Sequence, residues 1–322
     1  MEQVGTKNIH FQESGNQLLL QSGTHHYEID HKKLPFRKIV LLNSSLVGYF
    51  LELDAGNLLV GISSPEYIFS EEIHQLMNEK KILNIGNEQK YEVEKILALK
   101  PDAIFTNYVA SFGGTYDILK KNGIPVIFID EYLEEKPLDK TKIIKIIGKL
   151  IGKEQQAAAK YAEIERNYNN YKNLAQKSAK KPKVLTNEMY GNQWFVAGGK
   201  SNLGQFLVDA NAAYIFADNQ DTKSVPKSFE EVFVKANNAE FWMNVGNHQS
   251  KKELLQINSQ YAEMQVYKSG KIYTVSGKIQ GSSNDYFERG TVRADEVLKD
   301  YIQIFHPEIF PNEALTYLKM LK

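Results

Sequence analysis

The sequence predicts an α/β fold of two Rossmann-like lobes joined by a long rigid α-helix, with a short β decoration at the N-terminus. Three observations lead there. Between Pro137 and Pro182 more than 40 residues pass without a proline, and the second half of that stretch reads as one helix of about 25 residues, roughly 37 Å long. On both sides of it, apolar strand-like runs alternate with helical stretches, the pattern of sheets covered on both faces. A segment of the first half also has an echo in the second.

Residues 1–35 contain short extended pieces, Asn8-Phe11, Leu18-Gln21 and His26-Ile29, separated by turns at Gly15-Asn16 and Ser22-Gly23. They form the expected decoration. Residues 36–138 are the first lobe: a strand at Arg37–Leu42, a helix at Leu46–Leu53, strands at Leu58–Ile62 and Ala103–Thr106, a helix at Tyr116–Lys121 and a strand at Ile124–Ile129. Residues 139–180 are the helical connector. Gly148 and Gly152 weaken its Ile-rich beginning and set a separate short helix there. From Lys153-Glu154 onward, Ala157, Tyr161, Ile164, Tyr168, Tyr171 and Ala175 recur at steps of three and four, one apolar stripe on a charged rod. The stripe predicts a strut lying on both lobes; about three heptads of Ala and Tyr are weak for a coiled-coil arm. Pro182 and the basic run Lys177 to Lys183 suit its end.

Residues 181–322 are the second lobe, with a strand at Lys183–Thr186, helices at Leu203–Ala210 and Phe229–Ala236, a strand at Phe241–Asn244 and a terminal helix. The echo is Val93-Glu94-Lys95-Ile96-Leu97-Ala98-Leu99-Lys100-Pro101-Asp102-Ala103 against Phe229-Glu230-Glu231-Val232-Phe233-Val234-Lys235-Ala236-Asn237-Asn238-Ala239. In both, a short helix with an acidic start leads into a strand, which supports two similar domains facing each other across a cleft.

The chain has 322 residues, 42% of them hydrophobic, enough for two cored domains. Its 39 basic residues balance 39 acidic ones, which gives a nucleic-acid partner no whole-chain support. No apolar run approaches the length of a membrane span. With no cysteine there is neither a disulfide nor a thiol catalyst. Met1 is followed by polar Glu2-Gln3, without a signal-peptide pattern, so a leader is an expectation for a precursor only.

These residues resemble the periplasmic binding proteins of iron-siderophore, haem and cobalamin ABC importers, the class with a helical backbone between lobes. Arg37 to Gly61 resembles the family's opening strand, helix and strand, ending in Val60-Gly61. Glu94 to Asp102 is similar to its most recognisable segment, and Gly148 to Glu154 to the start of its backbone helix. The resemblance spans roughly residues 36–307. It implies a monomeric carrier in the periplasm or cell envelope, lipid-anchored in the precursor. It also implies an ABC permease dimer with cytoplasmic ATPase subunits as partner, a small-molecule metal chelate as ligand and no cofactor. Glu94 and Glu230 match the family's permease-docking carboxylates; the alternative is that both stabilise helix N-termini. Glu231 fits a capping box with Ser228 and is assigned to structure.

Ligand groups in this family come from loops at the mouth of each lobe. The short side chains of Asn43, Ser44 and Ser45, after the first strand, either cap the next helix alone or both cap it and contact cargo. Tyr67 resembles a pocket-wall aromatic, with core packing as the alternative, and Asn107 and Tyr108 follow the strand ending at Thr106, where open sheets place ligands. Trp194 and Phe195 resemble an aromatic-then-glycine turn, running on into Gly198-Gly199-Lys200-Ser201, which lacks the spacing of a dinucleotide or phosphate loop. Asp285-Tyr286-Phe287-Glu288-Arg289 resembles an Asp-Trp-Phe-Glu-Arg segment of cobalamin binders. Asp285 would accept hydrogen bonds from cargo amides, Tyr286 would replace the tryptophan, and Arg289 would pair with a ligand carboxylate or with a neighbouring acid. Ala294 stands where the family usually has proline.

No metal site is expected: His25, His26 and His31 lie close in sequence without a matching carboxylate or cysteine framework, His74 and His248 are isolated, and His306-Pro307 reads as a helix end. Nor is a catalytic set, because there is no Gly-x-Ser-x-Gly elbow, zincin helix or catalytic cysteine. The expected function is capture of a metal chelate, a ferric siderophore first, with cobalamin and haem as alternatives. An α/β enzyme or a noncatalytic envelope module is the reading from a different class.

Overall fold

A computed structural model describes residues 3–269 and 271–322. The chain divides into two compact units, the first comprising the chain up to Glu134, Leu138–Ile164 and Ile279–Arg293, and the second Glu135–Pro137, Glu165–Lys278 and Ala294–Lys322. The fold is the expected α/β one, with two lobes, a long helical connection and an N-terminal sheet.

That sheet is antiparallel, β1 (Val4–Gly5), β2 (Ile9–Ser14), β3 (Gln17–Ser22) and β4 (His25–Asp30) in sequential order. It is more than decoration. Ile9, Phe11, Leu18, Leu20 and Ile29 belong to one core with the main sheet of the first unit.

The main sheet contains β5 (Ile39–Leu41), β6 (Leu59–Ile62), β7 (Leu83–Asn84), β8 (Ala103–Thr106) and β9 (Val126–Phe128), all parallel, in the order β9-β8-β5-β6-β7. Apart from the edge strand β7, its strands are largely buried on both faces, which explains why they read as continuous apolar runs. Period-two alternation sorts their side chains. Ile39, Leu41, Ala103, Phe105 and Ile127 enter one core, whereas Val40, Leu42, Ile104, Val126 and Phe128 enter the other. The first core is covered by α1 (Val47–Glu52) and the N-terminal sheet; the second is covered by α3 (Val93–Leu99) and α4 (Gly113–Lys121), with α2 (Glu71–Asn78) contributing Ile73 to the first.

The connector is two helices, α5 (Pro137–Ile151) and α6 (Glu154–Ala175). Gly152 lies between them at φ +72°, a conformation that costs glycine nothing. Lys153 N donates to Gly148 O at 2.7 Å, which closes α5. The apolar stripe of α6 is divided as predicted. Ala157, Tyr161 and Ile164 enter the core of the first unit. Further along, Tyr168 OH donates to Asp209 Oδ2 at 2.7 Å and Tyr171 packs edge-on against Phe310 within the second unit.

In the second unit the sheet contains β10 (Lys183–Thr186), β11 (Ala213–Tyr214), β12 (Phe241–Val245), β13 (Ile272–Thr274) and β14 (Lys319–Met320), in the order β11-β10-β12-β13-β14, with only β14 antiparallel to its neighbour. Helices α7 (Asn202–Asp209) and α8 (Phe229–Lys235) follow β10, and α9 (Lys251–Ile257), α10 (Gln265–Ser269) and α11 (Ala294–Phe305) follow β12. The predicted capping box is formed: Ser228 Oγ accepts from Glu231 N at 3.1 Å, and Ser228 N donates to Glu231 Oε2 at 2.9 Å.

Ile279–Arg293, which lies within the sequence range of the second lobe, packs with the first unit. Gly48 of α1 makes this contact feasible, since a Cβ there would lie 2.2 Å from the backbone oxygen of Glu288. Gly48→Ala should therefore destabilise the protein by about 1–3 kcal/mol in chemical denaturation, the overpacking cost outweighing the gain from removing a helical glycine. Hydrogen exchange should rise first across residues 285–292; a variant at least as stable as the parent, with unchanged exchange there, refutes the close approach.

Candidate functional site

The order of the first sheet reverses direction between β5 and β8, so the loops leaving these two strands part at a switch point, where open α/β sheets leave a crevice at the strands' carboxyl ends. The loop after β5 carries Asn43, Ser44 and Ser45. Asn43 Oδ1 accepts from Ser45 N at 3.0 Å, the capping alternative, while Ser45 Oγ donates to Glu131 Oε1 at 2.7 Å, which ties this loop to the one leaving β9. Ser44 is half-buried.

After β6, Ser64 is left-handed at φ +49°, and Tyr67 follows with half its surface exposed, 51%. After β8 come Asn107, whose carbonyl accepts from Thr106 Oγ1 at 3.1 Å, and Tyr108, 41% exposed. Tyr108 N donates to Asp130 Oδ1 at 2.7 Å. Burial holds the Asp130 carboxyl above the usual range, against that hydrogen bond and the nearby His25. These residues all follow the carboxyl ends of strands of one sheet.

The Asp285–Arg289 segment stands in the same unit. Asp285 is buried and turns the chain, its carbonyl accepting from Gly290 N at 2.9 Å. Tyr286 is half-buried and meets the exposed Phe287 edge-on at 5.1 Å between ring centroids. Glu288 Oε2 accepts from Phe69 N at 2.7 Å, joining the segment to the Tyr67 loop, and burial pushes the Glu288 carboxyl up to about 7. Arg289 pairs with an acid of the first unit, its Nη1 lying 2.9 Å from Glu52 Oε1. Arg293 and Lys160 approach the other oxygen of Glu52, each at 3.8 Å.

In the second unit the strand order reverses between β10 and β12. Trp194 is fully buried, its indole nitrogen donating to Thr186 O at 2.9 Å and its ring packed on Trp242 and Tyr261. Phe195 alternates to the other face of its strand (Gln193–Val196) and is half-buried, its carbonyl accepting from Asn187 Nδ2 at 2.8 Å. His248, isolated in the sequence, is not isolated in the fold: Glu188, which no local pattern singles out, is its partner. They meet at this second switch point, with His248 Nε2 2.7 Å from Glu188 Oε2, a contact that raises the affinity of the imidazole for its proton. Reading the loops after Lys183–Thr186 and Phe241–Val245 as neighbours would have exposed the pair.

Glu94 and Glu230 occupy the first turns of α3 and α8, both exposed. Their neighbours are paired. Glu92 bonds Lys95 at 2.7 Å, Glu231 is held by Ser228 and Lys227, and Asp218 by Lys235, whereas neither Glu94 nor Glu230 has an ion pair among the described residues. Glu230 lines a surface recess of about 710 Å³ with Phe216 and the exposed Val234, one helical turn away on its own face. Among the described residues no cluster of three or more His, Cys, Asp or Glu is arranged to hold a metal ion.

Residues 39–278 match the sequence profile of a family described as periplasmic binding protein. An uncharacterized lipoprotein of Methanocaldococcus jannaschii is 24% identical over 289 residues, 86% of this chain and 67% of that protein. Among solved structures, a Staphylococcus epidermidis protein described as a possible iron-binding (periplasmic solute-binding) protein superposes with a TM-score of 0.67 at 20% identity, covering 84% of this chain and 99% of that one. The apo periplasmic haem-binding protein of Roseiflexus sp. RS-1 gives 0.62 at 21%, covering 84% and 98%. A siderophore-binding protein of Vibrio cholerae bound to Fe3+-Desferal gives 0.62 at 18%, covering 84% and 99%. At these identities the likeness is one of fold.

Glu288 sets a pH signature. Its carboxyl is raised from 4.5 to about 7 by burial, so the folded chain holds this proton more tightly than the unfolded chain. Its contribution to stability is complete below about pH 4.5 and is lost as pH rises through about 7, up to roughly 3 kcal/mol. Asp130 and Asp300 shift in the same sense, so the difference between parent and Glu288→Gln isolates Glu288. Denaturation midpoints should coincide near pH 4.5, with the variant the more stable at pH 8; parallel curves would contradict the assignment.

Proposed function

Because this chain belongs to the periplasmic binding protein family, whose members bind solutes and are not catalysts, we propose that it is the solute-binding component of an ABC import system and that its cargo is a ferric siderophore. The observation that carries the cargo reading is the pair of exposed tyrosines, Tyr67 and Tyr108, at the carboxyl ends of two strands of one sheet. Rings of this size left open to solvent beside backbone and carboxylate acceptors suit a ligand with flat apolar faces and a few polar groups. The iron-binding and siderophore-binding descriptions of the Staphylococcus and Vibrio structures support the same class. Haem is the second reading, favoured by the likeness to the Roseiflexus protein. Ser44, Ser45, Asn107, Phe195 and Tyr286 are the further contacts in this reading. Arg289 acts through Glu52 to hold its segment, and Trp194 supports Phe195 from the core.

Glu94 and Glu230 are the docking carboxylates for the permease, whose partner residues are cationic. Each is an exposed acid left unpaired in a neighbourhood where adjacent acids are matched. The location is the cell envelope, consistent with the lipoprotein description of the Methanocaldococcus relative.

Native mass spectrometry and tryptophan quenching with ferric desferrioxamine, haem and cyanocobalamin decide the cargo. Saturable 1:1 binding of the ferric chelate is expected; binding of haem or cyanocobalamin without it overturns the assignment. Glu94→Ala and Glu230→Ala should each lower uptake by about tenfold or more while ligand affinity stays constant. Lost affinity with undiminished docking would reverse the roles given to these residues.

A further inference from the structure

The N-terminal sheet grips the loop that leaves β9. Phe128 N donates to Tyr27 OH at 2.8 Å, Asp130 N donates to Ser22 Oγ at 3.4 Å, and Asn8 Nδ2 donates to Leu133 O at 3.1 Å. Backbone groups at the end of a parallel strand, commonly left to water or ligand, are here satisfied by side chains from residues 8–27. The same hairpin delivers a ring. His25, the first residue of β4, lies 4.8 Å from Tyr108 and 4.5 Å from Phe128 between ring centroids, while Tyr108 and Phe128 meet edge-on at 5.1 Å.

Three rings from β4, the β8 loop and the end of β9 therefore make one wall beside the switch point. The wall keeps an open face. Tyr116, which backs it at 5.0 Å from Phe128, is buried at 1% exposure, whereas Tyr108 is 41% exposed and His25 half-buried. A cluster serving only as core would bury all of its rings. Burial also lowers the proton affinity of His25; the buried Asp130 opposes this, and Lys120 and His26 add to it, so the His25 ring itself is uncharged near neutral pH.

We infer that the N-terminal sheet completes the cargo face of the first unit, His25 and Tyr108 being the paired rings against which an uncharged planar part of the chelate packs. This rests on the ferric-chelate reading above and assigns a ligand-contacting role to a residue outside the 39–278 family match. The chemical class it favours is a chelate with flat hydroxamate-like or aromatic groups on its surface, because His25 and Tyr108 offer ring faces to pack against, while the cation at this wall, Lys120, lies over the Phe128 ring at 5.2 Å.

The test uses the full chain, with ferric desferrioxamine as the trihydroxamate probe and haem and cyanocobalamin in parallel. His25→Ala should weaken ferric desferrioxamine about five- to tenfold, the worth of one aromatic contact. His25→Phe, which restores a ring and protects the fold should alanine loosen the hairpin, should stay within about twofold of the parent, as should His26→Ala on the exposed neighbour. If the parent binds the probe and His25→Ala binds it equally well, the inference is overturned while the carrier function stands. If His25→Phe is as weak as His25→Ala, ring packing is likewise refuted. A parent that binds none of the three probes removes the cargo reading itself, and with it the basis for this wall.

Discussion

One buried carboxylate, Glu52 at the end of α1, holds together three segments distant in sequence. Arg289 reaches it at 2.9 Å, and Arg293 and Lys160 stand at 3.8 Å. A carboxylate removed from water is costly unless matched, and breaking such a match by deleting one partner costs on the order of 3–5 kcal/mol. That cost makes the position of Ile279–Arg293 in the first unit a strong constraint. The consequence reaches the candidate ligand face. The ion pair fixes Arg289, the close approach to Gly48 fixes Glu288, and Glu288 in turn accepts the backbone N–H of Phe69, two residues after the exposed Tyr67. The loop that carries the exposed Tyr67 is thus supported from a segment more than two hundred residues later in the chain.

The loops of the first unit follow the same logic. Asn43 spends its side chain on the turn after β5, which frees Ser45 to bond Glu131; Asp130 accepts from the amide of Tyr108. Each candidate contact residue thus rests on a neighbour with no ligand role. This division is what preorganised sites require, since a contact residue held by packing and second-layer hydrogen bonds gives up less entropy when cargo arrives.

What the sequence made legible was what local pattern encodes. Ala103–Thr106 and Lys183–Thr186 are the strands read from their apolar runs, α6 ends within three residues of its predicted limits, and the Ser228–Glu231 box is formed. Periodicity, turn chemistry and capping are properties of neighbours in the chain, so they survive in the one-dimensional record. The contacts between His25 and Tyr108, Glu188 and His248, and Arg289 and Glu52 are not, because their partners are separated by 60 to more than 230 residues. Trp194 and Phe195 show the limit within a single strand. Composition alone makes both candidate contacts, and only the alternation of faces sends Trp194 into the core and leaves Phe195 half-buried.

The two neighbouring glutamates at the start of α8 separate structure from recognition most sharply. Both sit at the positive end of a helix dipole, so capping alone would treat them alike. Glu231 is consumed: it accepts from Ser228 N and pairs with Lys227, which lowers its carboxyl below the usual range. Glu230 is left over, with Val234 exposed one turn further along the same face. An acid beside an exposed apolar side chain suits a partner arginine better than bulk water does, because the guanidinium can pair with the carboxylate while its alkyl stem covers the valine. The start of α3 repeats this division, the N-cap residue Glu92 held by Lys95 and Glu94 in the first turn left without an ion pair among the described residues. Two helices from different units, each with one spent acid and one free acid, are more economically explained by docking than by two independent accidents of capping.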